Sequence, residues 1–284
     1  MESECIKFPD RNRHPTPRRC KETTPAVLRM PLSIASLNSG SNGNCYYIGN
    51  ETEAVLIDAG LSCRETETRM ARIGLSMDTV KAIFISHEHS DHINGLPVLA
   101  RKYQLPVYIT PDTLQFSRIP KGGFPVHDLQ AYEPVCIGNL CITAFPKWHD
   151  AADPHSFVVS SGDTKVGVFT DIGHPCEHVI NHFSQCHAAF LEANYDEDML
   201  ANGRYPIFLK NRIQGPQGHL SNQQALELFR KHRPQFMSHL LMSHLSKDNN
   251  SPQLIEYMFA PHMADTQFIV ASRYAETKVF QVGV

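Results

Sequence analysis

Short apolar runs alternate with helical spacing from residue 32 onward. Residues 32–36, 46–48 and 54–57 are such runs, parted by Gly, Asn and Ser turns, and they read as strands. Ser62 stands where it can cap a helix that carries Met70 and Ile73 and that Gly74 ends. A continuous apolar run at 82–86 predicts a buried strand, and the polar cluster behind it leads into a helix over about 91–103. Residues 107–110 predict another strand, and Pro111-Asp112 opens a short helix. From 135 to 169 the pattern is all strand, at 135–137, 141–145, 157–160 and 166–169, with Gly162-Asp163 turning between the last two. A helix near 176–183 precedes a buried strand at 188–191. Ser221 caps an amphipathic helix with Ala225, Leu226, Leu228 and Phe229 on its apolar face. A strand at 236–242, a helix at 252–263 and two last strands complete the pattern. Strands in both halves with helices between them predict an α/β (α+β) domain over residues 30–284, built of two sheets covered by helices.

Residues 1–29 are polar, rich in Arg and Pro, and lack the apolar centre of a signal peptide. They read as a disordered tail, with Met30 an alternative start. Charge is nearly balanced, 26 Lys and Arg against 29 Asp and Glu, which excludes a basic coat but not a local basic cleft. No apolar stretch approaches the ~18 residues that cross a membrane. The eight cysteines are scattered with no C-x-x-C pair, as expected of reduced thiols in a cytoplasmic protein. The anomaly is histidine: there are 16, as many as glycine.

Six of the chain's metal-binding and polar residues stand together in His87-Glu88-His89-Ser90-Asp91-His92, directly behind the buried strand. On an extended segment, residues two apart point the same way, so His87 and His89 can grip one ion. Ser90 can cap the following helix, which turns Asp91 and His92 toward a neighbouring point. Two donor geometries within six residues suggest two metal ions side by side.

H-x-H-x-D-H behind a buried strand resembles the signature of the metallo-β-lactamase superfamily, whose fold is an αββα sandwich of two mixed sheets flanked by helices. Further motifs of that superfamily have counterparts in order along the chain. The resemblance implies that Asp58 in Leu56-Ile57-Asp58-Ala59-Gly60 orients metal ligands. It implies His149, in Lys147-Trp148-His149-Asp150, as the third imidazole of one site. Asp171, in Phe169-Thr170-Asp171-Ile172-Gly173, becomes the carboxylate shared by both ions, and His244 the last ligand of the second. The expected sets are therefore His87, His89 and His149 for one ion and Asp91, His92 and His244 for the other, with Asp171 common to both.

Glu192, at the end of a buried strand, and His219, in Gly218-His219-Leu220-Ser221, resemble the acid pair of the transfer-RNA 3′-processing nucleases. By that resemblance Glu192 orients His219, which protonates the leaving oxygen; the match is partial, with Leu191 before the Glu and Leu220-Ser221 after the His. A more extensive resemblance is to the family called YycJ, WalJ or VicX. It rests on Asn38-Ser39-Gly40-Ser41-Asn42-Gly43-Asn44-Cys45, on Ile57-Asp58-Ala59-Gly60-Leu61-Ser62, on Gly218-His219-Leu220-Ser221-Asn222 and on His244-Leu245-Ser246-Lys247-Asp248-Asn249-Asn250. Tyr195 stands where many relatives carry His. The interval from Asp171 to His244 is too short for the extra cap domain of larger nucleases.

The resemblance implies a dinuclear phosphodiesterase that degrades DNA from the 5′ end, with Asp91, His219, Glu192 and Asp58 closest to the chemistry. Imidazole-rich ligation favours zinc, and two carboxylates also allow manganese. The loop Ser41, Asn42, Gly43, Asn44 can present backbone N–H groups to a phosphate, or serve as a plain hairpin turn. Lys210, Arg212, Asn222 and Lys247 are further candidate phosphate contacts. DNA is the expected partner, no membrane is expected, and oligomeric state is left open. Two other readings stand beside this one: hydrolysis of a small cyclic phosphodiester, ester or thioester, and a non-enzymatic metal-bearing regulatory or binding protein. His155, His174 and His239 lie near motifs without an assigned role.

Overall fold

Strands β1 (Leu32–Asn38), β2 (Cys45–Gly49) and β3 (Ala54–Ile57) form an antiparallel run in the computed structural model, which describes residues 31–120 and 122–283. Every residue of β2 and β3 is buried, which explains their continuous apolar sequence: both faces of the sheet are covered. Helix α1 (Cys63–Arg72) follows, with the Ser62 side chain accepting from the Glu65 amide as foreseen. The chain continues through β4 (Val80–Phe84), α2 (Ser90–Ile93), α3 (Leu96–Tyr103), β5 (Val107–Ile109), α4 (Pro111–Phe116) and β6 (Val126–Asp128). Strands β3, β4, β5 and β6 pair in parallel, and the last strand, β14 (Phe280–Val282), returns to pair antiparallel with β1.

The second sheet contains β7 (Val135–Ile137), β8 (Leu140–Pro146), β9 (His155–Ser161), β10 (Thr164–Phe169), β11 (Ala188–Glu192), β12 (His239–Ser243) and β13 (Gln267–Val270). Strands β7 to β10 are antiparallel, and β10 to β13 parallel. Two mixed seven-stranded sheets among the described residues agree with the expected sandwich. Ile34, Tyr46, Phe84, Phe157 and Phe190 fill the space between the sheets. Helices α1 and α3 cover the outer face of one, through Met70, Leu96 and Leu99. On the other, Val179 and Phe183 of α5 (Glu177–Phe183) pack with Leu228 and Phe229 of α8 (Asn222–His232) and Ile255 of α9 (Pro252–Phe259). A capping box between Ser221 and Gln224 starts α8.

Several expectations are corrected. The single helix foreseen over about 91–103 is two helices, because Gly95 passes against the backbone of Leu61 and donates to the Ala59 carbonyl, and Pro97 has no N–H to bond back. The strand expected at 82–86 begins at Val80 and ends at Phe84, since the Ser86 amide turns to Asp58. The strand expected at 236–242 begins only at His239, after a turn in which the Met237 amide donates to the Pro234 carbonyl. Helix α9 stops at Phe259 and tightens into a 3₁₀ turn where Pro261 interrupts it. Helices α6 (Glu197–Asn202) and α7 (Ile207–Gln214) and strand β6 carry no periodic signal; α7 has no buried residue at all. Cys136 and Cys141 are not free thiols: the β7–β8 register sets them directly opposite, and they are bonded. Cys45, Cys63, Cys176 and Cys186 are free. The expected tail at 1–29 lies outside the described residues.

Candidate metal centre and acid pair

The candidate ligands collect where strands of both sheets end. Asp58 follows β3, the histidine-rich turn follows β4, Asp171 follows β10 and His244 follows β12. Asp58, Asp171 and His244 all have left-handed backbone, with φ of 62°, 55° and 57°. That conformation is uncommon outside glycine, and here it turns a side chain out of the sheet into one point.

His87, His89 and His149 each bring a ring nitrogen within 4.8 Å of the others, and so do the donors of Asp91, His92 and His244. Nε2 of His87 lies 3.1 Å from Nδ1 of His89, which is 3.3 Å from Nε2 of His149. An ion bound at ~2.0–2.1 Å in tetrahedral geometry needs nitrogen–nitrogen edges of about 3.4 Å, so the imidazoles already have that spacing. Asp171 connects the clusters, with Oδ2 3.2 Å from His92 Nε2 and Oδ1 3.9 Å from His149 Nε2. Asp171 Oδ2 and His244 Nε2 are buried without a hydrogen-bond partner. Buried polar atoms left without a partner among carboxylate and imidazole groups fit a divalent cation.

Outer groups fix these ligands. Asp58 accepts from the Ser86 amide at 2.8 Å and holds His92 Nδ1 at 2.7 Å, leaving Nε2 toward the cluster. The Gly218 carbonyl holds His149 Nδ1 at 3.0 Å. Burial keeps His149 uncharged, its pKa pulled down to about 3, and depresses His87 well below the usual value. Burial also opposes a charge on His92, yet the carboxylates of Asp171, Asp58 and Asp91 raise it to about 10. His244 is likewise raised well above the ordinary histidine value, against burial, by Asp171, Asp91 and Glu192.

Glu192 is fully buried, and its Oε1 lies 2.7 Å from His219 Nδ1 and 3.0 Å from His244 Nδ1. Its other oxygen accepts from the Ile172 and Leu220 amides. Although burial works the other way, His219 and His244 hold its carboxyl down at about 2. His219 is the partly exposed member of the pair, with its Nδ1 3.7 Å from Asp171 Oδ1 beside the candidate ligands. Donors of Asp171, Glu192, His219 and His244 also lie within 4.8 Å of one another.

The expected phosphate contacts fare differently. Ser41 and Asn42 are exposed, but Ser41 Oγ accepts from Arg273 and Asn42 donates to the Arg273 carbonyl. The Gly43 amide turns to Gly40, and the Asn44 amide to Asp91. Asn44 is buried and its side chain reaches Asp91 and His92, so this loop clamps the ligand turn. Asn222 is buried against Asn250 and offers no surface to a phosphate. Lys210 donates to the Ala201 carbonyl, and Arg212 pairs with Asp150 beside His149. Lys247 is exposed at the edge of the turn behind His244. Tyr195 is buried, with its backbone against α8.

Sequence reasoning passed over Lys147. It is buried, donates to the Thr170 carbonyl at 2.7 Å and supports the turn at Asp171; burial pulls its pKa below the lysine range against several nearby carboxylates. Its position two residues before His149, on extended chain, was the available signal. His155 bonds the Asp153 carbonyl through its ring and the Ser86 carbonyl through its amide, and His239 packs on Phe280.

Residues 53–244 match the family model described as a beta-lactamase superfamily domain. The chain is 34% identical over 253 residues to an exodeoxyribonuclease YycJ of Bacillus anthracis, covering 86% of this chain and 94% of that protein. It is 31% identical to an exodeoxyribonuclease WalJ of Streptococcus pneumoniae, over 80% of this chain and 87% of the relative. Among solved structures it is similar to the metallo-β-lactamase fold protein YhfI of Bacillus subtilis, at a TM-score of 0.69 and 16% identity over 88% of this chain and 99% of that one. With its sandwich, its ordered ligand turns and these matches, the chain belongs to the metallo-β-lactamase superfamily, in the family that includes YycJ and WalJ.

Proposed function

We propose that the protein is a dinuclear-metal phosphodiesterase that shortens DNA from its 5′ end, with residues 30–284 acting as one domain around the shared inter-sheet core. The observation that carries this reading is the Glu192–His219 pair set against the metal-ligand cluster. The names of relatives alike over nearly their full length support DNA as substrate. Two divalent cations, zinc first and manganese second by donor type, would supply water activation and charge neutralisation at the phosphoryl oxygens. His87, His89 and His149 would hold one, Asp91, His92 and His244 the other, and Asp171 both. Asp58 fixes the ring of His92, and Gly218 that of His149. Glu192 accepts the Nδ1 proton of His219, which leaves the Nε2 edge to deliver a proton to the departing oxygen. Among Ser41, Asn42, Gly43, Asn44, Lys210, Arg212, Asn222 and Lys247, exposure favours Lys247 as a phosphate contact, since the others are buried or engaged with neighbouring groups. Among the described residues no helix is long and apolar enough to cross a membrane. A cytoplasmic setting is part of the proposal; among the described residues four thiols are free, while Cys136 and Cys141 are bonded to each other.

The test is metal-loaded protein on end-labelled single-stranded and duplex DNA, RNA, bis-p-nitrophenyl phosphate, a thioester and a β-lactam. Release of nucleotides from the 5′ end is expected. Failure to cut any phosphodiester overturns the assignment, and turnover of only the small esters replaces it with the small-substrate reading.

A further inference from the structure

Trp148 is the sole tryptophan of the chain, and it is 50% exposed although its neighbours on both sides are buried. Alternation along the extended segment explains this: Lys147 and His149 point inward, so Trp148 points out. Its carbonyl is fixed by the Gly173 amide at 2.7 Å, and its ring stacks on His174 with centroids 5.6 Å apart and planes 30° apart. His174 is itself held by the Pro216 carbonyl. Together with His149, Gln217 and His178, Trp148 lines an open cleft of about 350 Å³. His178 continues the row, because its Nδ1 lies 2.7 Å from the hydroxyl of Tyr132, which is 49% exposed and stacks on His182. Two groups of rings thus flank the cleft beside the candidate metal ligand His149: Trp148 on His174, and Tyr132 on His182 with His178 tilted against it.

Other aromatics are as open elsewhere on the surface, but Trp148 and Tyr132 are set apart by ring partners beside the candidate metal ligand His149, and His182 is anchored in turn on the core ring of Phe145. Exposed ring faces are platforms on which proteins stack unpaired nucleobases. The charge of the cleft itself agrees, since stacking on a ring face needs no cation. Among the described residues Lys147 is the one lysine or arginine lining the cleft, and it is committed to Thr170.

We propose that Trp148, His174, His178 and Tyr132 form a stacking track for the bases of a single DNA strand at the metal-ligand cluster. The proposal rests on the reading of the protein as a DNA phosphodiesterase and deepens it: the substrate is gripped by its bases, unpaired, on the His149 side of the site. A double helix hides its base faces, so a duplex must fray before it can engage.

The test uses metal-loaded protein and phosphorothioate-linked oligodeoxythymidylate, which resists cleavage. Binding is expected to quench the emission of Trp148, with no variant required, and an abasic strand of equal length is expected to bind about tenfold more weakly and without quenching. Trp148→Leu and Tyr132→Leu, measured by anisotropy of a labelled strand, should each shrink that tenfold preference for base-bearing DNA. Unquenched binding, with equal affinity for base-bearing and abasic strands, overturns the track even where the wild type shortens DNA. Absence of DNA shortening by the wild type instead removes the reading beneath it, so the two failures are distinct.

Discussion

Glu192 and His219 share a 2.7 Å hydrogen bond in which a buried carboxylate oxygen accepts from Nδ1, and the same oxygen lies 3.0 Å from Nδ1 of His244. One carboxylate therefore fixes both a group positioned to move a proton and a candidate metal ligand. This coupling is the reason that replacing either end is informative.

His219→Ala is expected to lower phosphodiester turnover by about 10²–10⁴-fold, the range for losing a general acid. Metal content should stay at two ions per chain, because His219 is replaceable as a donor while Asp171 and His244 remain. Loss of one ion would place His219 among the ligands, as its nearness to Asp171 and His244 also permits. Elemental analysis beside steady-state kinetics separates the two outcomes. Glu192→Gln should lower both turnover and metal retention, since it loosens His244 as well.

Metal uptake by the two clusters should differ in pH dependence. In the metal-free protein His87 and His149 are kept neutral by burial, so their site loses few protons on loading. His92, raised to about 10 by Asp171, Asp58 and Asp91 against burial, is protonated at neutral pH, and His244 is raised in the same sense. A cation must displace those protons, so affinity at Asp91, His92 and His244 should climb by up to about tenfold per pH unit for each proton displaced. Chelator competition between about pH 6 and 9 would show one steep and one shallow site; equal slopes would contradict the assignment. The same shift has a sign for stability. With a folded value above the ordinary 6.5, His92 stabilises the metal-free chain fully below about pH 6.5, and that contribution is lost as pH rises through about 10.

The legible part of the site was the part written consecutively. His87, His89, Asp91 and His92 fall within six residues of a buried strand, so spacing alone places them on two sides of one turn. His149, Asp171 and His244 were readable only through motif order, because each is a single polar residue at a strand end. The left-handed turns at Asp58, Asp171 and His244 leave no residue-type mark, as Asp and His accept that backbone without glycine. Direction is also absent from sequence: Asn222 and Arg212 stand near His219 in the chain, yet one faces the interior and the other Asp150. Helix α7 escaped because it buries nothing, and hydrophobic periodicity reports only helices that bury a stripe.

Asp58 separates charge from backbone. Asp58→Asn keeps a residue type that tolerates φ of 62° but removes the carboxylate from His92 Nδ1. Metal affinity at the His92 site should fall about 10–100-fold with little change in thermal stability. Asp58→Ala should add a loss of stability, since alanine tolerates the left-handed turn poorly and abandons the Ser86 amide. Similar melting temperatures for the two metal-free variants would refute this division.

Gly60 should resist replacement for reasons of space. A Cβ there would fall inside the van der Waals envelope of the Asp91 carbonyl oxygen and within 2.7 Å of the Asn44 amide. Those two groups are hydrogen-bonded to each other, 2.7 Å apart, and their bond ties the Ser39–Asn44 loop to the ligand turn. Gly60→Ala must therefore part backbone from backbone, with no flexible side chain to give way, at a cost of about 1–3 kcal/mol or more. The displaced atoms belong to Asp91 itself, so metal content should fall together with melting temperature. Gly74→Ala is the control: its φ is +75° but a Cβ would meet nothing, so it should lose only about 1 kcal/mol of backbone preference and keep both metals. If Gly60→Ala melts lower yet holds two ions, the contact with Asp91 supports the fold without positioning the ligand.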